Sequence, residues 1–173
     1  ALSNRVLGWR FGVTAAPIER PRDLQERPLL RDPFVVALPR GAALDAEAAI
    51  RGEGDLPFLR FSGNLIIARQ IEAQLRRSRA APPNRFECGN NQMLMAMVAA
   101  GAGWTITTPL LFSRARRFQA DLTLHRFPGA SFARELALVA TPDCSSTVFK
   151  MVEGRLRGLI AERVIAPFLE DAP

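Results

Sequence analysis

Two short polar stretches, Ser62-Gly63-Asn64 and Gly89-Asn90-Asn91, each stand between an apolar run and the start of a helical period. Hydroxyl and amide side chains with glycine at such a junction can serve in two ways. They can cap the helix by accepting from its unpaired first-turn amides. They can instead leave those amides, and the positive end of the helix dipole, to a negatively charged ligand, for which a carboxylate is suited. Spacing alone leaves both readings open. Other chemistry is scarce. Cys88 and Cys144 are the only cysteines, at no metal-binding spacing, and His125 is the single histidine, so neither a metal site nor a cofactor is expected. His125 has no evident Ser or Cys partner, and Asp55, Glu72, Glu87 and Asp121 form no recognisable pair. With no Gly-x-Ser-x-Gly either, no enzyme is expected. Cys88 precedes a helix start, where a thiolate would be favoured; the plainer reading is a small buried side chain at a strand end.

A third candidate is Gly101-Ala102-Gly103, inside MLMAMVAAGAGWTITTPLL (93–111). A phosphate-binding glycine loop leaves a strand and opens a helix, because the helix N-terminus meets the anion. Here the order is reversed. The glycines follow a helical run and precede a strand, so Gly101 fits the left-handed residue that ends a helix and Gly103 a tight chain reversal. No nucleotide loop is expected.

The elements that must position these residues alternate. Branched apolar runs read as strands at 10–14, 33–39, 56–61, 85–88, 104–109, 122–127 and 135–142. Ile67, Ile71 and Leu75 recur every four residues, predicting an amphipathic helix that Ser62 or Asn64 can cap and that Ala-Pro-Pro stops. A second helix is predicted over about 91–100, and a long third begins after Ser145 and Ser146. Such alternation predicts an α/β fold with mostly parallel strands. If the strands ending at Phe61 and Cys88 are parallel neighbours, the two polar helix starts emerge on one sheet edge, where ligands of open α/β sheets gather. The turn-rich 39–57 segment is a candidate lobe boundary.

The 173 residues, 48% hydrophobic and 23% charged, can build one core or two small lobes. No apolar run is long enough for a membrane span, and no export signal is read at the N-terminus, so a cytoplasmic location is expected. The net charge is +6, and all basic residues but Lys150 are arginine. The clusters at 76–79 and 113–117 lack interleaved aromatics and read as solvated faces, not a nucleic-acid surface.

The stretch MLMAMVAAGAGWTITTPLL resembles the effector-binding domain of LysR-type transcriptional regulators. FGVT followed by DLQERPLLRDPFVVALPRG, LPFLRFSGNLIIARQIEAQLRR, and RELALVATPD before a long helix resemble further pieces of that family in the same order. The resemblance implies a two-lobed α/β fold like type 2 periplasmic binding proteins, with residues 40–138 as lobe II and 1–39 with 139–173 as an incomplete lobe I. The crossings would be PFVVALP and ELALVATP. It further implies a small, anionic effector in the interlobe cleft, self-association as a dimer or tetramer, and DNA binding through an N-terminal domain absent from this chain. Effector contacts carried over from the family fall on Thr14, Ala15, Ser62, Asn64, Gly89 and Asn90. The alternative is a periplasmic solute-binding protein of a transport system.

Overall fold

The structure, a computed structural model, describes residues 11–15, 24–129 and 132–166. By contacts the chain divides into two compact units, Ala1–Asp32 with Ala133–Pro173, and Pro33–Phe132.

In the first unit, β1 (Phe11–Ala15), β8 (Ala133–Ala140) and β2 (Gln25–Pro33) form a sheet in the order β1-β8-β2, with β1 antiparallel to β8 and Thr14 opposite Ala137. β2 is absent from the sequence reading because Pro28 and Pro33 interrupt it; proline is tolerated there because the strand lies at the sheet edge. Helix α5 (Ser146–Ile160), continued by a π-helical turn at Ala161–Ile165, packs on this sheet. Its apolar residues are only partly covered: Phe149 and Val164 are buried and Val152, Leu156, Leu159 and Ile160 half-buried, whereas Val148 and Met151 are exposed.

The second unit holds the larger core. β3 (Val35–Pro39) runs antiparallel to both β6 (Thr105–Thr107) and β7 (Leu122–Arg126). β4 (Phe58–Phe61) and β5 (Asn84–Cys88) are parallel neighbours with Phe61 opposite Cys88. The two ladders meet where Phe58 bridges Trp104 in parallel and the Leu59 amide donates to the Trp104 carbonyl at 2.8 Å. The expected mostly parallel pairing therefore holds only for β4, β5 and the Trp104 approach to β6. The β1–β8, β3–β6 and β3–β7 pairs are antiparallel, because β8 enters against β1 and β3 against both its neighbours.

Helix α2 (Ile66–Arg77) buries Ile67, Ile71 and Leu75, the predicted stripe, together with Ala68, and leaves Arg69 exposed. Helix α3 (Asn91–Ala99) buries Leu94, Met95 and Val98. Two short helices were not predicted, α1 (Ala46–Arg51) and α4 (Pro109–Phe112). Asp45 caps α1 by accepting from the Ala48 amide at 2.7 Å, and Thr108 caps α4 with proline in its first turn.

Gly101 sits at φ +76°, its amide donating to Val98 and that of Ala102 to Met97, the paired bonds that close a helix C-terminus. Gly103 has a different reason from the one expected. A Cβ there would collide with the Pro57 carbonyl oxygen and lie 2.9 Å from Leu59 Cγ, so glycine serves the close approach to β4.

Candidate functional site

Parallel pairing of β4 and β5 brings two helix starts to one edge of the second unit. The Ser62 amide donates to the Cys88 carbonyl at 2.9 Å, extending the ladder one residue past both strands. A Cβ on Gly89 would stand 3.8 Å from Ser62 Oγ, so the serine hydroxyl and the glycine face each other. Ser62 is half-buried; Gly63, Asn64, Gly89 and Asn90 are exposed. Because β6 runs the same way as β4, Thr107 and Thr108 end on this edge as well. Thr14 and Ala15 lie on β1 in the other unit, half-buried, opposite Ala137 and Leu136.

The two helix starts are not equivalent. Asn90 caps α3, its Oδ1 accepting from the amides of Gln92 at 2.8 Å and Met93 at 3.4 Å. Helix α2 begins after Leu65, and no side chain caps it. The expectation that Ser62 or Asn64 would do so fails because both precede the N-cap position, and the turn Ser62–Leu65 closes through its own backbone, the Leu65 amide donating to the Ser62 carbonyl at 2.9 Å. The start of α2 thus has no side-chain cap, and the Ser62 hydroxyl, three residues before its N-cap, faces Gly89. An anion in such a place gains about 0.3–1 kcal/mol from the helix dipole, and up to about 2 where partly desolvated.

The sequence reading missed what holds this edge rigid. Asn91 Nδ2 donates to the Leu111 carbonyl at 2.9 Å, and Gln92 Nε2 to that of Arg114, tying the first turn of α3 to α4 and the turn after it. Thr108-Pro109, a capping residue followed by proline, was the signal for α4.

The remaining candidates lie elsewhere or are chemically quiet. Cys88 is buried, burial pushes its thiol above the ordinary 9.0, and its Sγ lies 3.6 Å from Met97 Sδ. It ends β5, and burial outweighs the helix start that follows it. His125 is on β7 with its Nε2 2.9 Å from Thr123 Oγ1. Both line a separate cavity of about 510 Å³ between β3, β7 and the 41–45 loop. Among the described residues no group of three or more His, Cys, Asp or Glu could hold a metal ion, and no helix is long and apolar enough to cross a membrane.

The family model for the LysR substrate binding domain matches residues 11–150, and the chain belongs to that family. It is thus of the effector-sensing type found in LysR-type transcriptional regulators, and a transport-system binding protein is not favoured. No curated protein matches the chain by sequence. Among solved structures, the OxyR2 regulatory domain from Vibrio vulnificus is similar with a TM-score of 0.68 and 19% identity, over 87% of this chain and 72% of that one. OxyR from Corynebacterium glutamicum gives 0.71 and 22%, over 95% and 52%; this chain therefore spans about half of that protein. The Synechocystis CcmR regulatory domain, solved in complex with 2-PG, gives 0.68 and 18%, over 87% and 73%. At these identities the likeness is one of fold, the two-lobed periplasmic-binding-protein-like α/β architecture.

Proposed function

We propose that this chain senses a small anionic metabolite at the edge formed by Ser62, Asn64, Gly89 and Asn90. The observation that carries this reading is the uncapped start of α2 beside the Ser62 hydroxyl and the open face of Gly89. Bound ligand would favour one arrangement of the domain over another and so bias a self-associated regulator, a dimer or tetramer, toward one DNA-binding state. A differential affinity of about 1–3 kcal/mol is enough for such coupling. DNA itself would be held by a separate N-terminal domain, and the setting would be cytoplasmic. The lobe limits carried over from the family, 40 and 138, belong to this proposal; by contacts the chain passes between units at 32/33 and 132/133.

The relatives suggest two kinds of signal. Corynebacterium OxyR has been solved with H2O2 bound and CcmR with 2-PG. The thiols here favour the second kind. Peroxide reacts with thiolate, and Cys88 is buried and held protonated, while Cys144 is buried in the other unit. On this reading the domain acts by binding its effector.

Gly89→Ala is the cleanest test. Its new methyl group has room against Ser62 Oγ, so thermal stability should be retained while ligand-induced stabilisation by small carboxylates and phosphates is reduced. Stabilisation equal to that of the parent protein would reject the site.

A further inference from the structure

We propose that the cavity between β3, β7 and the 41–45 loop is a second ligand site, one that takes a small primary amine with an apolar body, bound as its ammonium ion. β6 runs the same way as β4, and β3 runs antiparallel to β6. The end of β3 therefore lies on the edge of the second unit opposite the one where Ser62 and Gly89 stand. There the chain turns at once, the Ala42 amide donating to the Pro39 carbonyl at 3.2 Å with Gly41 in the third position of the turn at φ +77°, a conformation that favours glycine. Ala42 and Ala43 follow, and their short side chains leave space open beside the strand ends. The resulting cavity of about 510 Å³ falls within the range of roughly 300–1,000 Å³ common for small-molecule sites.

Its lining has an apolar and a polar part. Leu38, Pro39 and Leu44 supply the apolar surface, while the polar groups are Asp45, Thr123 and His125, with no lysine or arginine among them. Arg40, between Pro39 and Gly41 in the chain, is turned away, its guanidinium donating to the carbonyls of Gln119, Ala120 and Leu122. Asp45 is thus the one carboxylate and has no cation beside it in the lining. Its Oδ1 caps α1, and the described ion pairs of that helix join Arg51 to Glu47 and Glu53, leaving Asp45 out. A carboxylate has room for about four hydrogen bonds, so capping does not exhaust it. Thr123 Oγ1 and His125 Nε2 lie 2.9 Å apart, and the hydroxyl oxygen keeps a lone pair whichever of the two donates. An ammonium group carries three donors and no acceptor, which suits these oxygens. A carboxylate or phosphate ligand would instead meet Asp45 as a like charge, so the anions proposed for the opposite edge are disfavoured here.

His125 is the only histidine, so its ring protons give NMR signals that report on this cavity alone. Titration of the whole protein with 2-phenylethylamine, protonated at neutral pH, should shift them saturably while the amides of 63–68 and 89–93 stay in place. Phenylacetate, similar in size and opposite in charge, should not move the ring signals. Asp45→Asn keeps the cap, since asparagine serves as well at that position, and should weaken amine binding at least about threefold, the scale of an exposed ion pair. Any of three results would overturn the site. The amine might leave the His125 signals unshifted, phenylacetate could shift them equally and so mark an unspecific apolar contact, or Asp45→Asn could bind the amine as tightly as the parent protein.

Discussion

Asn90 holds both readings of its position at once, since its oxygen caps α3 while its backbone lies on the candidate edge. Asn90→Asp separates them. The carboxylate keeps the cap and favours the helix dipole, so stability should stay within about 1 kcal/mol of the parent, whereas a bound anion would be repelled. Loss of ligand-induced thermal stabilisation with an unaltered urea midpoint is the expected result. Cys88 makes a different prediction. Its thiol is raised above 9.0 by burial, so as pH climbs the unfolded chain releases this proton before the folded one does. The stability tied to the neutral thiol is complete below that value and declines as pH rises past it toward the folded value. The sequence has no tyrosine, so few other groups titrate in this window. The urea midpoint should fall in this range, and the fall should be smaller in Cys88→Ala. Gly103→Ala should destabilise by more than about 2 kcal/mol in urea, since its methyl group would strike backbone, not a mobile side chain.

The elements that carry the candidate site were the readable ones. The four-residue recurrence of Ile67, Ile71 and Leu75 announced α2, and Gly89-Asn90 before an apolar period announced α3, because helix stripes and caps are local signals. What escaped was set by longer-range partners. β2 contains prolines that make sense only at an edge, and the antiparallel entry of β3 is a property of its neighbours β6 and β7. The lack of a cap on α2 depends on the turn at Ser62–Leu65 closing through backbone. Arg40 shows the same limit, for it reads as one more surface arginine. Its guanidinium donates to the carbonyls of Ala120 at 2.5 Å, Gln119 at 3.1 Å and Leu122 at 3.2 Å, fastening the 3-10 helix at Arg116–Asp121 to the end of β3. Arg40→Met should cost about 1 kcal/mol, at the low end for charged hydrogen bonds because the group is exposed, with hydrogen exchange rising within 116–121. No change in that segment would show the clamp to be idle.

At the scale of the molecule the two units are unequal. The second holds a contiguous core from Phe34 to Phe127, while the first gathers Leu29, Ala140 and Cys144 with Leu138 and Phe149 in a smaller cluster and leaves much of α5 exposed. Membership of the LysR substrate binding domain family makes this chain an effector-sensing domain. The most direct test is an NMR titration of the whole protein with a panel of small carboxylates and phosphates, following backbone amides. The account predicts that a binding member shifts the amides of 63–68 first, with those of 89–93, and that Asn90→Asp abolishes the response. Shifts gathered instead around Thr123, His125 and the 41–45 loop, with 63–68 and 89–93 silent, would contradict it.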